Sequence, residues 1–183
     1  MKVDSKRIRL LQGRFVLTDS MDELVSYRRR SIGWKADPPA YIHPRILFGP
    51  GGETITPGFL RKYNITHIIN CGFESDSPDW FKTNFSNNYA CLNAVDSVNA
   101  NILSWYPRFE NLMREFLADT GSKNIYVHCQ CGINRSGFLS LIFACVRLNY
   151  AFKDVVNSIL TQRPCALTNP SYFRQVKEYC LGV

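Results

Sequence analysis

Cys129 and Arg135 bound the run Cys129-Gln130-Cys131-Gly132-Ile133-Asn134-Arg135, with His128 before it and Ser136 after it. These types at this spacing suit attack on an anion. A free thiol of pKa about 8.5 is mostly protonated at neutral pH, but at a helix N-terminus beside cations it falls to roughly 3.5–7.5 and becomes a standing nucleophile. An arginine presents a planar fork of donors that grips two oxygens of a phosphoryl group. The chemistry indicated is phosphoryl transfer through a cysteinyl-phosphate. Ser136 can donate a hydrogen bond toward the sulfur and help the phosphocysteine break down, or cap a helix. His128 is read as stabilising the loop and the cysteine's ionisation rather than as a base, because a thiolate needs none.

Such a run works only if the fold presents it. Asn124-Ile125-Tyr126-Val127 is short, apolar and β-prone, and reads as a buried strand. Residues 138–146 read as a buried helix. The loop between them lies at a helix start, where unbonded N–H groups carry partial positive charge and make an anion site. Gln130, Cys131, Gly132, Ile133, Asn134 and Arg135 are therefore expected to form a phosphate-binding loop. The leaving oxygen needs a proton from a carboxylic acid on a loop that reaches over this pocket. Asp96, which follows a strand-like segment and precedes a helix, is the leading candidate; Asp76, Asp79 and Asp119 are alternatives. Asn134 and Asn169 are expected to brace the loop backbone, Asn169 equally well as a helix cap. Arg135 and the loop amides already supply electrostatic stabilisation, so no metal or cofactor is called for.

At these residues a family becomes recognisable. His128-Cys129-x5-Arg135-Ser136 resembles the signature of the cysteine-based protein tyrosine phosphatases. With Gly132, Asn134 and Gly137 it most resembles the compact dual-specificity branch, including those of large DNA viruses. The resemblance implies hydrolysis of phosphotyrosine and phosphoserine/threonine. It also implies that Asp96, by its separation from Trp105-Tyr106, is the general acid. Related classes fit less well. RNA 5′-phosphatases of the capping-enzyme type usually have His at the position of Cys131, phosphoinositide phosphatases favour Lys in the loop, and a phospho-binding module normally lacks the nucleophile.

The remaining elements alternate. Ile46-Leu47-Phe48 reads as a first strand, followed by a turn through Gly49-Pro50-Gly51-Gly52; Thr56 caps a helix from Pro57 to Tyr63. Ile65–Asn70 and Tyr89–Ala94 read as strands. Ser75–Asn88 is loop with one short helix near Trp80–Phe85. Ile102, Trp105, Phe109, Leu112, Met113 and Phe116 recur at helical spacing, with Ser104 as the expected cap. Helices follow from Phe152 to Gln162, where Arg163-Pro164 stops the helix, and from Asn169-Pro170 to about Leu181. This order predicts an α/β fold, a mostly parallel central sheet flanked by helices, over residues 41–183. Residues 1–40 read as a basic extension with one helix, Ser20–Arg30, bounded by a capping box and Arg28-Arg29-Arg30. That helix is a candidate homodimer contact, and deleting residues 1–40 is expected to spare hydrolysis of a small aryl phosphate.

Composition narrows the setting. The chain has 183 residues, a net charge of +7 and seven cysteines. The cysteines are odd in number and irregular in spacing, which argues against a disulfide framework, and His128-Cys129-x-Cys131 lacks the second pair a zinc site needs. Cys71, at the end of a strand expected beside the loop, is a candidate redox partner for Cys129. The charged start is unlike a signal peptide, and no apolar run spans a membrane, so a cytoplasmic location is expected. The basic balance suits anionic partners, whether phosphorylated protein, RNA or acidic lipid; with the loop motif, phosphorylated proteins are the expected substrates, and neither nucleic acid nor membrane is expected as a partner.

Overall fold

The computed structural model describes residues 32–182. Its strands are β1 (Ala40–His43), β2 (Ile46–Pro50), β3 (Ile65–Asn70), β4 (Tyr89–Cys91) and β5 (Asn124–Cys129), in the sheet order β1-β2-β5-β3-β4. The helices are α1 (Pro57–Tyr63), α2 (Asp79–Asn84), α3 (Tyr106–Ala118), α4 (Arg135–Val146), α5 (Phe152–Gln162) and α6 (Pro170–Leu181). β2, β3, β4 and β5 run parallel, and β1 joins β2 antiparallel. The mostly parallel sheet read from the sequence is the one observed.

Side-chain alternation assigns each strand residue to one of two layers. Ile46 and Phe48 of β2, Ile69 of β3, and Ile125, Val127 and Cys129 of β5 face the larger core formed with α3 to α6. Leu47, Ile68 and Tyr126 face a smaller core with Leu60 of α1 and Phe81 of α2. Helix α4 is buried along Arg135–Ala144, which is why its sequence is apolar on every side. The parallel strands all end at one edge, and β5 lies between β2 and β3 there. Ligands of such sheets bind in the crevice beyond the strand ends, where connections diverge.

Several boundaries differ from the sequence reading. β1 went unread, because a four-residue edge strand behind Pro38-Pro39 exists only through its pairing with β2. β2 continues through Pro50, so the turn begins at Gly51, and β4 stops at Cys91. Ser104 does not cap α3. Asn101 caps a 3-10 turn over Ile102–Trp105, and α3 continues from it with Pro107 in its first turn. Thr56 caps α1 and Asn169 caps α6 as read. The Ser20–Arg30 helix and the dimer contact assigned to it lie outside the described residues. The boundary at residue 40 cuts through structure. Ala40 opens β1, and the carbonyls of Trp34, Asp37 and Pro38 are held by Arg163. Among the described residues no helix is long and apolar enough to cross a membrane.

Candidate active site

β5 delivers Cys129 to the sheet edge, and alternation sends Cys129 and His128 to opposite faces. Cys129 is buried with its Sγ 3.4 Å from Ser136 Oγ, which sits in the first turn of α4. The loop from Gln130 to Asn134 then turns back into that helix. Its carbonyls point outward, each to a donor beyond the loop or in the helix. Gly51 N–H donates to the oxygens of Cys129 (2.8 Å) and Gln130 (3.2 Å), Leu167 N–H to Ile133 (3.0 Å) and Phe138 N–H to Asn134 (2.8 Å). Arg163 takes the two between: Nη2 donates to Cys131 O (2.9 Å) and Nε to Gly132 O (2.7 Å). Because N–H and C=O of a trans peptide point opposite ways, the loop amides turn toward its concave side.

Gly132 makes the tight return feasible. Its φ is +62°, and a Cβ there would lie 2.0 Å from the carbonyl carbon of Gly49. Leu167 is also in the left-handed region, at φ 57°, an uncommon conformation for a bulky residue, and it sits where its N–H meets Ile133 O.

Arg135 is 5% exposed. Its Nη1 donates to Ala94 O at 3.1 Å and stands 4.0 Å from Asp76 Oδ2, and the guanidinium lies over the Phe73 ring at 5.8 Å. Its Nε is buried with no hydrogen-bond partner among the described residues. An orphaned charged donor at the base of a loop of inward amides is the signature of an oxyanion seat.

Asp96 stands exposed on the loop after β4, and two amides hold it. Asn134 Nδ2 lies 3.2 Å from Oδ2, and Asn169 Nδ2 lies 3.2 Å from Oδ1. Asn134 Oδ1 accepts from Thr168 N–H (2.9 Å) and Asn169 N–H (3.0 Å), so the nucleophile loop, the Asp96 loop and the start of α6 are tied at one point. Of the two roles expected of Asn169 the cap is observed, its Oδ1 accepting from Ser171 and Tyr172 N–H at the start of α6, while its amide reaches Asp96 rather than the loop backbone. The Asp96 loop is gripped further along α6. Tyr172 OH donates to Val95 O, while Gln175 accepts from Ile102 N–H and donates to Ala100 O. Of the other aspartates, Asp76 reaches the site but accepts from Phe73 N–H at 2.9 Å, Asp79 pairs with Lys82, and Asp119, just after α3, pairs with His67 of β3.

His128 is fully buried. Its Nε2 lies 2.7 Å from Ser77 Oγ and its Nδ1 3.4 Å from Cys129 O, so it ties the loop's first peptide to the segment before α2. Burial lowers its pKa to about 3. The unfolded chain then takes up a proton below about pH 6.5 that the folded protein does not. Native stability is unaffected by this group above pH 6.5, falls as the pH drops toward 3, and has lost the full amount below it. Between pH 7 and pH 5 the cost is about 2 kcal/mol. His128→Gln, which keeps an amide toward Ser77, is expected to show a correspondingly shallower loss of urea stability over that interval. Equal losses for the two proteins would reject the assignment.

Cys71 follows β3 beside the end of β5, buried, with its N–H donating to His128 O at 2.6 Å. Burial first, then the neighbouring Cys129, push its thiol well above the ordinary value. Cys131 is half-buried, and its thiol is raised for the same two reasons. Among the described residues no group of three or more His, Cys, Asp or Glu side chains is placed to hold a metal ion. Sequence reasoning missed Arg163, Ser77, Tyr172 and Gln175 at this site. In sequence Arg163 marks only a helix stop, because the carbonyls it binds belong to residues of any type.

Comparison with known proteins places this architecture. Residues 49–180 match the dual specificity phosphatase catalytic domain. The chain belongs to that family. It is 27% identical over 142 residues to dual specificity protein phosphatase 19 of Mus musculus, covering 77% of this chain and 61% of the relative. It is 24% identical over 144 residues to the protein phosphatase Slingshot of Drosophila melanogaster, covering 78% of this chain and 13% of that one. The chain thus spans less than two thirds of the length of these relatives. The fold is shared with the crystal structure of DUSP15, at TM-score 0.63 and 20% identity over 79% of this chain and 88% of that one. It is shared also with human DUSP28, at TM-score 0.61 and 13% identity over 79% and 94%.

Proposed function

We propose that the protein is a dual-specificity phosphatase that hydrolyses phosphotyrosine and phosphoserine/threonine on protein substrates through a cysteinyl-phosphate. The observation that carries this reading is the unpartnered, buried Arg135 Nε at the base of a loop whose carbonyls all face away. A phosphoryl group seated there accepts from Arg135 and the loop amides. Cys129 Sγ attacks phosphorus, the ester oxygen leaves opposite the sulfur, and Asp96 gives it a proton. Asp96, now a carboxylate, takes a proton from water as the water oxygen attacks phosphorus. The sulfur leaves with its electron pair, stabilised by Ser136. The preorganised donors stabilise the extra charge on the transferring group, the effect that dominates such sites.

A substrate panel without added metal tests the proposal: phosphotyrosine peptide, phosphothreonine peptide, triphosphate-ended RNA and a phosphoinositide. Turnover of both peptides, each well above the other two, is expected; preference for RNA or lipid would replace the reading.

The placement of Cys71 supports a redox role. Peroxide would oxidise the Cys129 thiolate to a sulfenic acid; Cys71 sulfur then attacks it, water leaves, and a disulfide remains. Cys131 is disfavoured because a bridge across one residue would distort the loop. Mild peroxide followed by non-reducing peptide mapping is expected to yield a Cys71–Cys129 peptide pair. Over-oxidised Cys129 with no bridge would end the idea.

A further inference from the structure

Arg163 is the largest fully buried side chain described, with no solvent exposure. A buried guanidinium is costly unless its donors are satisfied. Here five bonds satisfy it, and all go to main-chain carbonyls. On one side are Gly132 O from Nε (2.7 Å) and Cys131 O from Nη2 (2.9 Å). On the other are Asp37 O and Pro38 O from Nη1 (2.6 and 3.2 Å) and Trp34 O from Nη2 (2.6 Å). The side chain is a rigid, planar bridge between the back of the nucleophile loop and the segment that precedes β1.

We infer that Arg163 is a positioning residue for phosphoryl transfer: it fixes the two peptides on either side of Gly132 so that the N–H groups of Gly132 and Ile133 face the phosphoryl oxygens. Each planar peptide has one orientation. Pulling Cys131 O and Gly132 O outward directs the attached N–H groups inward. The constraint matters most here because glycine is the residue for which a peptide flip meets least steric resistance. A flip would swap an inward N–H for a carbonyl oxygen, replacing attraction toward the phosphoryl oxygens by repulsion. Lysine cannot substitute, since one ammonium lacks the fork that reaches both carbonyls and the Trp34–Pro38 segment together. Trp34–Pro38 is thereby a working part of the site, which reverses the expectation that deleting residues 1–40 would spare hydrolysis. It supplies the acceptors that hold the guanidinium at its angle.

This inference rests on the phosphatase reading above. The test uses full-length parent, Arg163→Met and Arg163→Lys, with rates expressed per titratable Cys129. Two quantities are measured: kcat/KM on p-nitrophenyl phosphate and the inhibition constant of orthovanadate, an oxyanion that needs no leaving group. Both variants are expected to lose at least about tenfold in each, in parallel, toward the 10²–10³ that loss of one oxyanion donor costs elsewhere. The slope of rate on leaving-group pKa is expected to be unchanged, because the Asp96 loop is untouched. Variants within about twofold of the parent in both constants, with only a lower thermal midpoint, would show a merely structural arginine and overturn the assignment. Should Arg163→Met not fold, Arg163→Lys, which retains the charge and a donor, decides by the same criteria. A parent that neither turns over the ester nor binds vanadate would remove the phosphatase reading, and this inference with it.

Discussion

Cys129→Ser is expected to lose turnover by at least about four orders of magnitude, on every substrate, while binding oxyanions about as well as the parent. The loss follows from the nucleophile. A serine hydroxyl stays protonated at neutral pH, and among the described residues no base touches its position. His128 faces the opposite side of the sheet and is engaged with Ser77 Oγ and Cys129 O. Retained binding follows from what the substitution spares. The outward carbonyl bonds of the loop come from main-chain donors and Arg163, and Arg135 is held by Ala94 O. None of them involves the sulfur, and oxygen is smaller, so nothing is displaced. Steady-state assay with a phosphotyrosine peptide gives the first quantity and titration with tungstate the second. Appreciable hydrolysis by Cys129→Ser would sink the cysteinyl-phosphate route. A thiol buried only for packing, the bland alternative, predicts no such separation of turnover from binding.

What could be read from the residues was whatever is written in side chains close together in sequence. Cys129, Arg135 and Ser136 fall within one strand–loop–helix, so their types and spacing already specify an anion site. Helices with cap signals were found to within a residue: Thr56-Pro57 at α1 and Asn169-Pro170 at α6. The expectation for Asp96 draws on a strand end, a following helix and the family resemblance together, and the structure sets its carboxylate against Asn134 and Asn169. The failures have one physical source. Arg163 binds five carbonyl oxygens, and every residue has a carbonyl, so neither Trp34–Pro38 nor Cys131-Gly132 carries a mark of being its partner. The same holds for β1, whose identity as a strand is a fact about β2, and for the placement of the domain start at residue 41. Ser77 and Gln175 are ordinary polar residues in sequence. Their parts appear only when the sheet edge brings His128 and the Asp96 loop against them.

Asp96→Asn is expected to slow hydrolysis of phosphothreonine peptide by about 10²–10⁴-fold and of p-nitrophenyl phosphate much less. An alkoxide leaves only if protonated as it departs, whereas p-nitrophenolate is a stable anion and gains little from the acid. The asparagine keeps the shape of the side chain and one acceptor oxygen for Asn169 Nδ2, so the loop, gripped by Tyr172 and Gln175 as well, holds its place. Asp76→Asn is the control, because Asp76 is the other carboxylate near Arg135, at 4.0 Å. It is expected to leave the leaving-group dependence as it is in the parent, since its carboxylate is tied to Phe73 N–H and stands beside the arginine. Equal losses of Asp96→Asn on both esters, or transfer of the leaving-group signature to Asp76→Asn, would take the role of acid away from Asp96.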